Sequence, residues 1–252
     1  MRIKCYFGCV GRALLIRVVR RQSLPVMAVT MSVHDEISRR RVLGMSVAAG
    51  GLAMFGSVSP LLAQRLRRTP PQVLGPFYPV VKPLDPDADL TVIQGQPGRA
   101  AGQVIHVMGR VMNTQGQAIQ GVRIEIWQAN THGRYTHPND TNPAPLDPNF
   151  EGFAVLNTDA KGRYRFKTIK PGAYPGDSGA IRPPHIHFDV TGKFNRIVTQ
   201  MYFAREPLNE TDRLLQTAGA NRERLIVSLL PPTRDLEPDS LLAVWDIVLD
   251  EG

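Results

Sequence analysis

Short β-type runs separated by proline- and glycine-rich stretches constrain the fold of this chain more than any other feature. The 252 residues include 21 prolines and 22 glycines, which end strands and form turns. Apolar and polar side chains alternate along Val122–Trp127 and Tyr164–Ile169, as in strands with one buried face. Only Glu206–Gly219 has a helical pattern. We therefore predict an all-β chain, an antiparallel β-sandwich with long proline-rich loops and one short helix. The predicted strands are Gln103–Met112, Val122–Gln128, Tyr164–Ile169, His185–Thr191, Arg196–Phe203, Arg224–Leu229 and Leu242–Leu249.

The positive charge of the chain is concentrated in its first quarter. The formal net charge is +8, and residues 1–63 hold nine of the 30 basic residues but only two of the 22 acidic ones. Residues 64–252 are therefore close to neutral, with 21 basic and 20 acidic residues. A nearly neutral domain gives no electrostatic basis for binding nucleic acid, and we predict no such partner.

The basic leader has the layout of a twin-arginine export signal. Ser38–Leu43 reads Ser-Arg-Arg-Arg-Val-Leu and opens a weakly apolar, Gly- and Ala-rich run that ends at Ala63. Its glycines and Pro60 make it a poor membrane-spanning helix. We expect transient engagement of the twin-arginine machinery and export to the periplasm or the exterior. A leader that is not cleaved would leave the protein anchored to the membrane.

The leader also fixes the expected domain boundaries. Met31 or Met27 is the expected start, which makes the preceding residues an over-extended gene model. The folded domain is then 64–252, long enough for one hydrophobic core. Both cysteines, Cys5 and Cys9, fall in the leader. The domain therefore has no thiol for a disulfide or for a zinc site of the Cys/His type.

A His-x-His segment is the first candidate metal site. His185 and His187 lie in a predicted strand, where alternate side chains share a face, so both can bind one ion. The same pattern fits two half-buried histidines without a metal. A carboxylate, Asp177 or Asp189, would complete a two-histidine site for ferrous iron or zinc in a hydrolase or oxygenase. The remaining ligands decide between these alternatives.

Two tyrosines in loops beside predicted strands are further candidate ligands. Tyr135 follows the strand Val122–Gln128, and Tyr174 lies eleven residues before His185. A phenol binds a metal only after it loses its proton, and a hard trivalent cation such as ferric iron stabilises the phenolate. Each tyrosine alone is explained by packing, but with the histidines they complete a two-tyrosine, two-histidine set. The other histidines of the domain are expected at surface, sheet or loop positions: His106, His132 and His137.

Several segments carry motifs that are specific in combination. They are Gly121–Asn130, Gly133–Tyr135, Ala144–Phe150, Tyr164–Pro175 and Arg182–Phe188. On these segments the chain resembles the intradiol ring-cleavage dioxygenases, with the nearest likeness to the beta chains of protocatechuate 3,4-dioxygenases. The resemblance runs from about Gly75 to Leu249.

The resemblance implies a site and a reaction. The implied ligands of a non-haem ferric ion are Tyr135, Tyr174, His185 and His187. The implied catalytic residues are Arg182, Tyr174 and Gln200, and the implied substrate-binding residues are Arg182, Tyr202 and Tyr78. Tyr174 would serve both as ligand and as general base. The implied enzyme cleaves a catechol-type ring between its two hydroxylated carbons with O2, giving a cis,cis-muconate-type diacid, without an organic cofactor.

Departures from the family leave the substrate and the assembly open. The stretch between Tyr174 and His185 is shorter than in protocatechuate enzymes and lacks their tryptophans, so we expect Asp177–Ile181 to set substrate choice. The partner is expected to be a second copy of the chain or an alpha-type chain. The rival interpretation is a non-catalytic, transthyretin-like β-sandwich binding module, which Gly116–Val122 and Thr158–Phe166 also fit. That rival predicts no convergence of the tyrosines and histidines.

Overall fold

The computed structural model describes residues 65–82, 87–176 and 179–250. The expected export leader and Asp177 lie outside the described residues. Within them the chain forms short strands with few helical turns. The strands are β1 (Val104–Met112), β2 (Arg123–Trp127), β3 (Phe153–Asn157), β4 (Arg163–Ile169), β5 (Tyr174–Pro175), β6 (Ile181–Arg182), β7 (His185–Thr191), β8 (Arg196–Phe203), β9 (Ile226–Val227), β10 (Leu229–Leu230), β11 (Leu241–Val244) and β12 (Ile247–Val248). Helix α1 is Arg213–Gln216, and 3₁₀ helices span Pro207–Glu210 and Gly219–Leu225.

The first sheet is built around β1. One edge of β1 pairs antiparallel with β4, and the other pairs in parallel with β11 and then with β12. Strand β10 extends this sheet beyond β11. The valines and isoleucine of β1 suit a pleated, half-buried surface because their branched side chains pack well across strands.

The second sheet carries the candidate ligands. Its strand order is β3-β2-β7-β8-β9, and all neighbours are antiparallel except β8 and β9. Ile186 and Phe188 of β7 belong to the core between the two sheets, whereas His185 and His187 point to the opposite face because strand side chains alternate. Every residue of β7 before Thr191 is buried. Both faces of this strand are therefore covered.

The core between the sheets fixes the position of β7. The ring of Phe188 lies 5.9 Å from that of Phe166 and 5.0 Å from that of Trp245. Full burial of an aromatic or branched aliphatic side chain contributes about 1.5–3 kcal/mol. Because this packing involves one face of β7 only, the other face is free to carry polar, ligand-bearing residues without weakening the core.

A segment that we call the strap, residues 69–82, covers the histidine face of the second sheet. Its Gln72 amide donates to the Val198 carbonyl of β8 at 2.8 Å. Further along, the ring of Tyr78 meets the Trp127 ring of β2 edge-on at 5.1 Å. The strap thus runs across the sheet from β8 toward β2 and closes over β7.

The all-β prediction is confirmed, with differences in detail. The sandwich is not purely antiparallel, because long connections return β11 and β12 alongside β1 in the same direction. Strand β3 was not predicted, since Phe-Ala-Val-Leu has no clear alternation. The region Glu206–Gly219 does not form one helix. It contains the 3₁₀ helix Pro207–Glu210 and then α1, whose start is capped by Asp212. No helix among the described residues is long and apolar enough to cross a membrane.

Candidate metal centre

The two histidines of β7 converge as their spacing predicts. Their Nε2 atoms lie 3.2 Å apart, and the side chains of His185 and His187 are 1% and 2% exposed. The register of the sheet fixes their neighbours. His187 pairs with Trp127 of β2, and His185 pairs with Tyr202 of β8. Two ring nitrogens at this distance either share one proton as a hydrogen bond or bind a common cation.

The tautomer of His185 is determined by its backbone contact. Its Nδ1 lies 2.7 Å from the carbonyl oxygen of Pro183, which can only accept, so Nδ1 carries the proton. Burial above all, then the nearby Arg182 charge and His187, lower the pKa of His185 well below its usual value. The ring is therefore neutral, and its Nε2 lone pair faces the site, as a metal ligand requires.

Tyr174 reaches the histidines from a two-stranded ribbon. In this ribbon, β5 pairs with β6, and Tyr174 lies opposite Arg182. The Tyr174 hydroxyl oxygen is 3.2 Å from Nε2 of His185. Burial raises the pKa of Tyr174, although the positive charge of Arg182 acts in the opposite direction. A bound cation would reverse the effect of burial, because it stabilises the phenolate.

Tyr135 is delivered by the loop after β2. The Asn130 side chain organises this loop, since its Oδ1 accepts from the His132 amide at 2.9 Å and the Arg134 amide at 3.0 Å. Gly133 has a φ of +76°, and a methyl group on it would lie 2.0 Å from the Ala173 carbonyl oxygen. Only glycine allows the two loops to approach so closely. As a result the Tyr135 ring stands perpendicular to that of Tyr174 at 5.2 Å.

Arg182 organises the side of the site that faces the cleft. Its Nε and Nη2 atoms donate to the two carboxylate oxygens of Asp212 at 2.9 and 3.3 Å. Nη2 also donates to Gln200 Oε1 at 3.0 Å and to the Tyr202 hydroxyl at 2.8 Å, and Nη1 lies 3.1 Å from Nε2 of His185. Burial acts to lower the pKa of Arg182, but the hydrogen bonds to the Asp212 carboxylate outweigh burial and raise the pKa. The guanidinium is thus a fixed, charged group that is paired with Asp212 and lies beside the histidines.

Asp212 is a site residue that the sequence analysis missed. Its Oδ1 accepts from the Leu215 amide at 2.7 Å, which caps α1. The same carboxylate holds Arg182, and its side chain is only 3% exposed. The available signal was the capping pattern of an Asp before Arg-Leu-Leu, which predicts a helix start but not the ion pair.

A cleft of about 920 Å³ opens beside these residues. Tyr174 and Arg182 line its inner end, and Ile181, Leu208 and Leu214 contribute apolar wall. Its size and its mainly apolar lining suit a small aromatic ligand. Tyr135 does not line this cleft and borders a separate hollow with His137 and Leu146. Of the two tyrosines, Tyr174 is therefore the one that a ligand in the cleft meets.

The residues present fit ferric iron. The hydroxyl of Tyr135 is buried and has no hydrogen-bond partner within the described part of the chain, and burial raises the pKa of Tyr135 far above its usual value. A buried, unpartnered phenol is costly unless a ligand satisfies it. Two phenolates and two neutral imidazoles would bind a hard trivalent ion and offset two of its charges.

The carboxylate alternative fits less well. Both oxygens of Asp189 accept from Arg196, at 2.9 and 2.7 Å, so this side chain is directed to the guanidinium. Among the described residues there is no group of three or more His, Cys, Asp and Glu side chains placed to hold a metal ion. Asp177 lies outside those residues.

The geometry brings most of the predicted site residues together, but not Tyr78. The six that meet are Tyr135, Tyr174, Arg182, His185, His187 and Gln200, and Tyr202 joins them through Arg182. The Tyr78 hydroxyl instead donates to Glu125, and Tyr78 is not part of the cleft lining. The strap residue that contacts the tyrosines is Phe77, whose ring lies 4.8 Å from that of Tyr135. The sequence analysis did not single out Phe77.

The outlying histidines stay away from the centre. His106, on β1 of the first sheet, has its Nε2 atom 2.5 Å from Glu237 Oε2. His132 and His137 lie in loops and have no contact with the converging nitrogens in the described structure. These positions agree with the sheet and loop positions expected for them from the sequence.

Comparisons with known proteins find dioxygenases. A family model described as Dioxygenase matches residues 73–251. The chain is 46% identical over 168 residues to the protocatechuate 3,4-dioxygenase beta chain of Burkholderia cepacia, covering 65% of this chain and 71% of that one. It is 31% identical over 154 residues to hydroxyquinol 1,2-dioxygenase of a Rhizobium species, covering 56% of this chain but only 49% of the relative.

A solved structure gives the same result. The dioxygenase domain of a dioxygenase and carbohydrate-binding protein fusion from Streptomyces sp. SirexAA-E superposes with a TM-score of 0.54 at 29% identity. The match covers 74% of this chain and all of that domain. The overall fold is therefore shared with a protein of dioxygenase type.

Proposed function

This chain belongs to the intradiol ring-cleavage dioxygenase family, and from that premise we propose that it binds ferric iron through Tyr135, Tyr174, His185 and His187 and cleaves a catechol-type substrate with O2. The observation that carries the proposal is the buried convergence of Tyr174 Oη and the two Nε2 atoms at 3.2 Å beside an unpartnered Tyr135 hydroxyl. A non-catalytic binding module would give no reason for these four side chains to meet.

The residues around the centre have separable tasks. Bound ferric iron would supply a Lewis-acidic centre that favours the deprotonated diol and makes the ring reactive toward O2. Tyr174 lines the cleft, so its phenolate oxygen can accept a proton from a substrate hydroxyl on arrival. Arg182 holds a positive charge at the inner end of the cleft and stabilises negative charge that develops on the ring. Gln200 and Tyr202 fix the Arg182 guanidinium through hydrogen bonds.

Two observations favour a catechol that carries an anionic substituent. Arg213 lines the cleft, and it has no acidic partner among the described residues, whereas the charge of Arg182 is offset by Asp212. An unpaired arginine in an apolar cleft attracts a carboxylate. The relative at 46% identity is named for protocatechuate, a carboxylated catechol. We therefore propose a protocatechuate-like substrate.

Colour and oxygen uptake test the proposal. Tyrosinate bound to ferric iron should make the purified protein wine-red, and anaerobic addition of a catechol should shift the band. Oxygen uptake should be compared for catechol, protocatechuate and hydroxyquinol, and the products identified as ring-opened diacids. A colourless preparation that contains one iron per chain would refute the ligand set. A red preparation that opens none of the three rings would refute the activity.

Export and assembly are further parts of the proposal. The Ser38–Leu43 pattern supports passage through the twin-arginine pathway, which carries folded, metal-loaded proteins. Replacing Arg39 and Arg40 with lysine should retain the protein in the cytoplasm, as cell fractionation would detect. The relative named as a beta chain supports a multi-chain assembly, and we propose that this chain self-associates. Light scattering of the purified chain would give its mass, and a strict monomer would contradict this.

A further inference from the structure

The two histidines of the site are oriented in different ways. His185 is held by the hydrogen bond from its Nδ1 to Pro183. The Nδ1 of His187 is buried and has no hydrogen-bond partner in the described part of the chain. Metal-binding histidines usually fix their ring by such a bond, and its loss typically weakens metal binding. The orientation of His187 must therefore come from packing.

Two groups outside the proposed ligand set contribute to that packing. On one side the Trp127 ring stacks on His187 with centroids 4.8 Å apart and an interplanar angle of 11°. At its edge lies Gly75 of the strap, where a methyl group would stand only 3.1 Å from His187 Cε1. Gly75 also has a φ of +79°, so a side chain there would be strained as well as crowded. The position of the strap thus helps to determine the position of the imidazole.

The strap is fastened on both sides of Gly75. Before it, the Gln200 side chain donates to the Val73 carbonyl at 2.9 Å. After it, the Tyr78 hydroxyl donates to Glu125 of β2, and Lys82 Nζ binds the same carboxylate at 2.9 Å. The Tyr78 ring also packs edge-on against Trp127. The hydrogen bond between Tyr78 and Glu125 therefore holds both groups that orient His187, namely the strap at Gly75 and the Trp127 ring.

Glu125 is built for this role. Its side chain is 3% exposed and also pairs with Arg123. Burial acts to raise the pKa of Glu125, but the hydrogen bonds from Tyr78 and the two cations outweigh it and lower the pKa. An ionised, buried carboxylate with three donors is a strong and directional anchor. It lies two residues before Trp127 on the same face of β2.

We infer that Glu125 and Tyr78 form a clamp that positions His187 for iron, and that Tyr78 acts on the metal centre through this clamp and not as a substrate contact. The inference rests on the proposed ferric site. It replaces the substrate-binding role that the resemblance implied for Tyr78, whose hydroxyl is engaged by Glu125 outside the cleft.

The experiment compares iron release from the loaded enzyme in three variants. Tyr78→Phe removes the hydroxyl but keeps the ring on Trp127, and Glu125→Gln keeps one acceptor oxygen but removes the charge. Glu237→Gln is the matched control, because Glu237 is also a carboxylate with basic partners but lies between β10 and β11 and pairs with His106 and Lys167 of the first sheet. Loss of such a supporting contact typically costs about 10–100-fold in metal affinity. We expect Tyr78→Phe to release iron to a chelator about tenfold faster, with a shifted charge-transfer band, and Glu125→Gln to fall between it and the wild type.

The release rate decides the outcome. Faster release in Tyr78→Phe together with wild-type release in Glu237→Gln supports the clamp. Wild-type release and spectrum in Tyr78→Phe, with or without a higher KM for the catechol, overturns it. Equal acceleration in Glu237→Gln also overturns it, because the effect would then be general destabilisation. A wild-type protein that binds no ferric iron would instead refute the proposed function itself.

Discussion

Removal of the Asp212 carboxylate should destabilise the protein more than removal of any comparable surface acid. Asp212 neutralises the buried Arg182 guanidinium through two hydrogen bonds and caps α1 through the Leu215 amide. Breaking a buried ion pair from one side costs about 3–5 kcal/mol, because the other charge is left without a partner. Loss of the cap adds about 1 kcal/mol. Asp212→Ala should therefore lower the free energy of unfolding by about 4–6 kcal/mol.

A second variant separates the ion-pair contribution from the capping contribution, and a third serves as control. Asp212→Asn keeps an oxygen that can cap α1 but loses the charge, so it should cost about 1 kcal/mol less than Asp212→Ala. Asp189→Asn is the control, since Asp189 is also buried but its partner Arg196 is 61% exposed and returns to water. That control should cost only about 1 kcal/mol.

Urea unfolding of the iron-free proteins measures all three variants. The iron-free form is needed because bound metal would add its own binding free energy to the stability. If Asp212→Ala costs no more than Asp189→Asn, the reasoning is wrong. In that case Arg182 would be stabilised by its other contacts or by water, and its ion pair with Asp212 would not hold the cleft wall in place.

Three further predictions follow from charge and backbone geometry. Hydrogen bonds from Lys167 and a neighbouring imidazole lower the pKa of Glu237 from 4.5 to about 2, so its stabilisation is complete above about pH 4.5 and is lost as the pH falls through 2. Because the side chain is 35% exposed, Glu237→Gln should cost about 1 kcal/mol at pH 7 and nothing near pH 2 in urea titrations; equal loss at both values would contradict this. Gly133→Ala should lower the free energy of unfolding by about 2–4 kcal/mol and lower the iron content, because the new methyl meets a carbonyl oxygen at 2.0 Å. Gly121 has a similar φ but open space around it, so Gly121→Ala should leave the iron content unchanged. Arg213→Gln should raise the KM for protocatechuate about tenfold and leave that for catechol unchanged, and an equal effect on both substrates would argue against a carboxylate contact.

Several candidate ligands could be singled out from the sequence because local patterns place them. The alternation of β7 places His185 and His187 on one face whatever the rest of the fold does. The turn before Tyr135 contains Asn130 and Gly133, residue types that favour a loop of defined shape. Strand spacing and turn residues likewise predicted the sandwich, since these signals are also local.

The contacts that support the site could not be predicted because they join distant segments. Asp212 and Arg182 are 30 residues apart, and Tyr78 and Glu125 are 47 apart. Nothing in the local pattern of either partner indicates the other. The role that the resemblance suggested for Tyr78 shows this limit: the residue type matched a known position, but the direction of the side chain depends on a carboxylate in another strand. The parallel pairing of β1 with β11 and β12 was missed for the same reason.

The way each proposed ligand is held also indicates which of the four side chains could move most easily. His185 and His187 belong to a central strand that is buried on both faces, so moving either would disturb the core. Tyr135 is pinned by the close approach of Gly133 to the loop that carries Tyr174. Tyr174 lies on a strand of two residues that, within the described part of the chain, pairs with β6 alone, and its side chain borders the cleft. Rotation of this side chain breaks no ladder hydrogen bond, because these involve the backbone alone. Of the four proposed ligands, Tyr174 is therefore the one whose side chain would be least costly to displace, and its phenolate could accept a proton from a substrate in the cleft.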